Sequence, residues 1–189
     1  MATRVAKQLT TEELEAGLDE VLGSPADEGT VELIARRPAV DEREVVEEAE
    51  LDLEEGLVGD NWHARGSKST DDGSSNHLAQ LTLANSRAVD LVAAGDRDRW
   101  ALAGDQFYVD FDLSGENLPA GTRIAIGSAV VEVTDLPHMG CEKYTRRFGS
   151  DARAFVNSEE GVRLNLRGIN TRVVEPGTVR RGDTVKKLT

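Results

Sequence analysis

The 189-residue sequence contains one cysteine, Cys141. A lone thiol closes no intramolecular disulfide, so its role is packing or chemistry. The sequence also lacks a run of roughly 18 apolar residues, the minimum for a membrane-spanning helix. Its first residues, Met1 to Thr10, lack the apolar core of a signal peptide. One cysteine and no export signal lead us to expect a reducing cytoplasm. His63, His77 and His138 are too scattered to give the ligand spacing of a zinc site. The glycines form no phosphate-cradling motif, and there is no internal repeat. A chain of this length buries about 70% of its unfolded surface, so it needs no covalent staples, and one domain with a terminal extension is expected.

Basic residues are outnumbered. The chain has 22 Lys and Arg against 35 Asp and Glu, a net charge of −13. Residues 1–60 hold 5 basic and 18 acidic residues and carry the whole excess, whereas residues 61–189 are neutral. An acidic front half argues against nucleic-acid binding, which needs clustered cations. Residues 137–189 run the other way, with 11 basic and 6 acidic residues, a balance suited to holding a small anion. A solvated surface of mixed sign is the plain alternative for most of these charges.

Thr10-Thr11-Glu12-Glu13 reads as a capping box, with Leu14, Leu18, Val21 and Leu22 on one helical face and Gly23-Ser24-Pro25 as the stop. A linker follows, and residues 1–29 are read as a helix-and-linker appendage to a domain over 30–189. Val31–Ala35 is a strand candidate. Glu44–Leu53 reads as extended, with a helix as rival over 44–50. Gly56–Asn76 is loop-like, and its second half, almost free of apolar residues, is expected to be exposed and mobile. Leu78–Leu83 alternates as a strand, and a short helix over Ala88, Leu91 and Val92 follows a cap at Asn85 or Ser86. Gln106–Phe111 is a strand, and Arg123–Ile126 with Ala129–Thr134 forms a hairpin across Gly127-Ser128. Helical turns are expected in 142–164, with Asp151 as a cap. Strands are expected at Gly168–Val174 and Asp183–Leu188, with a turn at Glu175-Pro176-Gly177. Many short strands with glycine-rich turns predict a mostly β, α+β protein, a barrel or sandwich with peripheral helices.

Cys141 stands in Pro137-His138-Met139-Gly140-Cys141-Glu142-Lys143-Tyr144-Thr145-Arg146-Arg147. Nearby cations favour thiolate, the form that attacks electrophiles and binds soft metals. His138 is close enough in sequence to serve as its base. If 142–149 is helical, Lys143 and Arg147 share a face. Arg167-Gly168 is a second anion candidate, because Arg forks two bonds to phosphate and Gly lets the backbone approach. Asp60 and Asn117 sit beside turn residues, where such side chains organise the backbone.

Four separated pieces carry a resemblance. They are Gly56-Leu57-Val58-Gly59-Asp60-Asn61-Trp62-His63, Ser114-Gly115-Glu116-Asn117-Leu118, the segment around Cys141, and Arg167-Gly168-Ile169 leading to Val173 through Asp183. In this order the chain resembles the MOSC family, the domain named for the C-terminal part of molybdenum-cofactor sulfurases, over residues 30–188. The resemblance implies a β-barrel and a molybdenum–pterin cofactor (molybdopterin). It implies that Cys141 carries sulfur as a persulfide, or ligates molybdenum in an oxidoreductase acting on N-hydroxylated compounds. A non-catalytic cofactor-binding or chaperone module is the third reading. Cys141, His138 and His63 are the candidate catalytic residues. Gly59, Asp60, Glu116, Asn117, Lys143, Arg146, Arg147, Arg167 and Gly168 are the candidate cofactor-binding residues. A cysteine desulfurase donor and a molybdoenzyme acceptor are the implied protein partners. Pyridoxal phosphate is not expected, because the desulfurase half of the full-length sulfurases is absent from this sequence.

Overall fold

A computed structural model describes residues 6–189 of the chain; residues 1–5, the first part of the segment read for a signal peptide, lie outside it. Among the described residues eleven strands run in chain order: β1 Glu28–Arg36, β2 Glu44–Val46, β3 Glu48–Asp52, β4 Gly56–Leu57, β5 Leu81–Asn85, β6 Phe107–Asp110, β7 Arg123–Ile126, β8 Ala129–Val133, β9 Ile169–Glu175, β10 Gly177–Arg180 and β11 Thr184–Lys187. The helices are α1 Thr11–Ala16, α2 Leu18–Leu22, α3 Trp62–Arg65, α4 Ser86–Val92, α5 Glu142–Phe148, α6 Ser150–Asn157 and α7 Glu159–Arg163, with 3-10 turns at His77–Ala79 and Arg97–Ala103.

Seven strands close a mixed barrel in the order β1-β6-β5-β9-β8-β7-β11, with β11 pairing back onto β1 and β2 appended to the other end of β1. Within this ring only β5 and β6 are parallel. A parallel pair needs a crossover, and α4 with the 3-10 turn at Arg97–Ala103 supplies it;. A small second sheet, β10-β3-β4, packs alongside.

The period-two alternation of strands sorts the apolar residues into two cores. Leu81, Leu83, Phe107, Val109, Ile124, Ile126, Val131 and Val185 fill the barrel. Residues of the opposite parity, such as Leu33, Ala84 and Tyr108, face out and are covered by Leu14, Val92, Tyr144, Phe148 and Phe155 from the helices. Each such large side chain contributes about 1.5–3 kcal/mol by leaving water. The α1 helix has the expected capping box, Thr10 with Glu13, and its Leu14 is fully buried.

Several local expectations are corrected. The N-terminal helix is two short helices broken at Gly17. The extended stretch at 44–53 is two strands that part at Glu47 into different sheets. Gly56–Asn76 contains a strand and a helical turn, because Leu57 and Trp62 are buried anchors. The polar half of that loop closes on itself: Ser67 N donates to Ser74 O at 3.0 Å, and Thr70 Oγ1 donates to the carbonyls of Ser67 and Ser74. Gly177 starts β10 rather than only turning, since β3 offers it a pairing edge. Asp151 is not the α6 cap; its Oδ2 accepts from Thr11 N at 3.0 Å and ties α1 to α6. No helix among the described residues is long and apolar enough to cross a membrane.

Candidate functional site

Cys141 is exposed and is the N-cap residue of α5. The irregular segment that delivers it from β8 is pinned at several points. Asn170 Nδ2 donates to the Leu136 and Pro137 carbonyls. Asn157, at the end of α6, clamps Gly140 from both sides: its Oδ1 accepts from Gly140 N at 2.8 Å and its Nδ2 donates to Gly140 O at 2.9 Å. Burial raises the Cys141 thiol, but the amide dipoles of Tyr144 and Lys143 at the start of α5 and the Arg167 charge outweigh it and pull the thiol below its ordinary value;. The amides act as dipoles, without a capping hydrogen bond to the sulfur.

The thiol lines a cavity of about 220 Å³ with five arginines, Arg37, Arg43, Arg65, Arg147 and Arg167, together with Lys143 and His138. Among the described residues, Asp41 is the one carboxylate on its wall. It is exposed and reaches Lys143 at 3.5 Å and Arg147 at 3.9 Å, so solvent screens both contacts;.

Two buried carboxylates behind the wall hold two of the arginines in place. Asp60 accepts from Arg37 Nε and Nη2 at 2.9 Å each, and also from the backbone N–H groups of Arg37 and Trp62. Asp105 Oδ2 accepts from Arg167 Nη1 at 2.7 Å, and its Oδ1 lies 2.9 Å from His138 Nε2. Burial alone would raise the Asp105 carboxyl, yet the Arg167 charge and the His138 hydrogen bond overcome it and hold it far below the usual range. An ionised carboxylate only accepts, so His138 presents Nε2–H to Asp105 and keeps Nδ1 as a lone-pair acceptor. Burial and then the Arg167 charge depress the His138 pKa against the pull of Asp105, so the imidazole is neutral. The Arg167 guanidinium also stacks 5.0 Å from the Tyr144 ring centroid.

The remaining cations are less compensated. Burial lowers the Arg43 pKa, and repulsion from Arg147 and Arg37 lowers it further; burial and Arg37 do the same to Arg65. Among the described residues, four buried side-chain polar atoms have no partner, and three of them, Arg43 Nε, Arg167 Nε and Asn61 Oδ1, belong to this cavity's wall. The fourth, Gln106 Nε2, is on the residue that accepts from Thr82, also on the wall. Buried polar atoms are nearly always partnered, so this concentration singles out the cavity wall as the place where polar groups are least satisfied by the protein itself;. Arg147 also donates to the Leu102 carbonyl at 2.8 Å, which aims it along the cavity edge.

The structure thus brings together Cys141, His138, Lys143, Arg147 and Arg167. Gly168 supports them from behind: its φ is +115°, and a Cβ would run into the Leu83 carbonyl oxygen and press on His138. Asp60 acts through Arg37. Gly59, with φ +86°, lies against the Arg36 side chain. Arg146 is outside the cavity, in a neighbouring depression with Asp41, Lys143 and Arg147. His63 is exposed beside Trp62 and does not line the cavity. Glu116 and Asn117 lie in a different cavity with Arg123 and Lys187, where Asn117 donates to the carbonyls of Ala26 and Asp112 and accepts from Lys187. Sequence reasoning missed Arg37, Arg43, Arg65, Asp105 and Asn157. The Arg36-Arg37 pair in an acidic region was the one available signal.

Among the described residues no group of three or more His, Cys, Asp or Glu side chains is placed to hold a metal ion. The donor set is instead one soft sulfur, a thiol pulled below its ordinary pKa, within a ring of cations. It fits a phosphate-bearing cofactor that brings its own soft centre.

The comparisons with known proteins agree with this architecture. The model of the MOSC domain matches residues 77–186, more than half of the chain. The YuaD protein from Bacillus subtilis has a similar structure, with a TM-score of 0.62 and 16% identity, covering 84% of this chain and 94% of that one. YiiM from Escherichia coli aligns with a TM-score of 0.54 and 18% identity over 85% of this chain and 70% of its own. YiiM from Geobacillus stearothermophilus gives 0.52 and 11%, over 88% and 75%. At these identities the structural likeness speaks for the fold. No protein of curated function matches the sequence.

Proposed function

The chain belongs to the MOSC domain family, and from that premise we propose that it binds a molybdenum cofactor in the Cys141 cavity and carries sulfur on Cys141 as a persulfide. One observation carries this reading: the single cysteine shares a small cavity with Arg37, Arg43, Arg65, Arg147, Arg167 and Lys143, while buried donors on Arg43 and Arg167 stand unpartnered. The family is associated with molybdenum-cofactor binding. Arg43, Arg147 and Lys143 would hold the phosphate, since guanidinium and ammonium groups make charge-assisted bonds to it. Asn61 and Thr82 offer neutral polar groups for the pterin. When bound, the cofactor supplies a molybdenum centre able to exchange sulfur or oxygen.

The protein's own part in sulfur transfer follows from the thiol. The Cys141 thiolate attacks the outer sulfur of a donor persulfide; the donor S–S bond breaks, and the donor leaves as thiolate. The lowered thiol pKa raises the fraction of Cys141 ready to react;. His138 Nδ1 can take the proton from any thiol that remains protonated. A cytoplasmic setting, a cysteine desulfurase donor and a molybdoenzyme acceptor complete the reading.

The test is molybdenum and pterin content, wild type against Cys141→Ser, in protein purified from a cofactor-competent host, with intact mass measured anaerobically. A sulfur carrier keeps both in the variant and loses only the added sulfur. Loss of molybdenum with pterin retained would instead make Cys141 a metal ligand, as in the oxidoreductase reading. Neither component in the wild type would remove the cofactor assignment.

A further inference from the structure

Resting on the reading of Cys141 as a sulfur carrier, we propose that the cavity loads its own sulfur from thiosulfate-class donors, small dianions with a transferable sulfane sulfur. It is then a sulfurtransferase site in its own right.

The composition of the wall is the first observation. Five arginines and a lysine face one carboxylate. Asp60 and Asp105 are already committed to Arg37 and Arg167. Arg43 and Arg65 have no carboxylate partner among the described residues, and Arg43 is repelled by Arg147 and Arg37. Such a cluster gains most from a ligand with two negative charges. The second observation is independent of the cysteine. Arg167 is 8% exposed and lines the same cavity, yet its Nε has no partner, and neither has the buried Nε of Arg43. Both guanidinium groups line the cavity, so its wall carries N–H donors that the protein itself does not fully partner, a setting that favours an acceptor such as an oxyanion;. The third is placement: the thiol and these cations line the same cavity, so an anion held there meets Cys141, and a phosphate of the same charge carries no sulfur to give.

The step balances without an added oxidant or reductant. The Cys141 thiolate attacks the outer sulfur of thiosulfate. The Sγ–S bond forms as the S–S bond of thiosulfate breaks, and its electron pair leaves on sulfite. A thiolate and a dianion become a persulfide anion and a dianion, so total charge is conserved and no proton moves. Two anions must meet for this to occur. The arginines offset that repulsion and stabilise the charge that develops on the departing sulfite.

The experiment incubates the full-length protein anaerobically with thiosulfate alone and measures sulfite release and intact mass, then adds cyanide as sulfur acceptor for turnover. The expected result is one sulfite per chain, one sulfur added at Cys141, and neither in Cys141→Ser. Arg43→Gln should raise KM for thiosulfate by about tenfold or more, with kcat changed less, as expected for a charge-assisted bond to the bound anion. An unchanged KM in that variant would overturn the role given to the cation cluster. Loading from cysteine persulfide but not from thiosulfate would overturn this proposal and leave the carrier reading standing. Loading from neither would overturn both, while the cofactor content would still be decided by its own measurement.

Discussion

The Asp105 carboxylate and the Arg167 guanidinium meet at 2.7 Å, with Asp105 shut off from water and Arg167 nearly so, and the other Asp105 oxygen faces His138. One carboxylate therefore fixes two groups of the Cys141 cavity. Asp105→Asn leaves Arg167 charged and uncompensated, and should cost about 3–5 kcal/mol in denaturant titrations near neutral pH. The pH dependence has a definite sign. Asp105 is depressed in the fold, so its contribution is complete above the unfolded value of about 4 and is lost as pH falls through and below it;. His138 is depressed too, so the unfolded chain takes up its proton first, and stability declines from about pH 6.5 downward;. His138→Gln should flatten the upper part of that acid profile and Asp105→Asn the lower part.

Cys141 should react as a thiolate. Its alkylation by iodoacetamide should reach half its maximal rate below the ordinary cysteine value of about 8.5, and Cys141→Ser should remove all labelling, since the sequence has no second thiol;. A midpoint at or above that value would mean that burial wins over the α5 amides and Arg167.

Asn157 and Gly168 place the site without touching the thiol. Asn157→Ala removes two of the bonds that hold Gly140 and leaves its N–H without a partner, while its carbonyl keeps the Arg153 Nε bond at 3.2 Å, a loss of about 1–3 kcal/mol;. It should also broaden the Cys141 alkylation kinetics. Gly168→Ala must accommodate a side chain at φ +115° against the Leu83 carbonyl, and should destabilise by at least about 1–3 kcal/mol on thermal unfolding;.

The cation cluster should make the protein respond to anions. Added inorganic phosphate should raise the melting temperature, approaching about 2.7 kcal/mol of stabilisation at a hundred times its Kd. Arg43→Gln should shrink that gain. In phosphate-free buffer the same variant should be no less stable than the wild type, because it relieves repulsion from Arg147 and Arg37. A phosphate response equal in both proteins would show that the anion binds elsewhere.

Much of the barrel was legible because strands announce themselves by alternation. The hairpin across Gly127-Ser128 sits where the sequence placed it, and Phe107 and Val109 point into the barrel while Tyr108 points out. The α5 spacing that puts Lys143 and Arg147 on one face was equally readable, and both line the cavity. Asp105 was not. It follows Gly104 in what reads as an ordinary loop, and only the β5–β6 crossover carries it beneath Cys141, with Arg167 arriving from 62 residues further on. Arg43 and Arg65 were hidden because a charge in an acidic stretch looks solvated until the fold withdraws its counter-ions. Glu116 and Asn117 lie with the C-terminal strand, where the Asn117 side chain bonds the carbonyls of Ala26 and Asp112.

The ring closes between its first strand and its last: Glu28 pairs with Lys186. Nothing local favours that seam, and the entropy of joining such distant segments must be met before any of its hydrogen bonds form. During synthesis the apolar faces of β7 and β8 have emerged well before β11 can cover the open edge. Until Thr184–Lys187 docks, β1 and β7 are open edges of an unclosed sheet, and removing that short strand should leave the apolar interior uncovered.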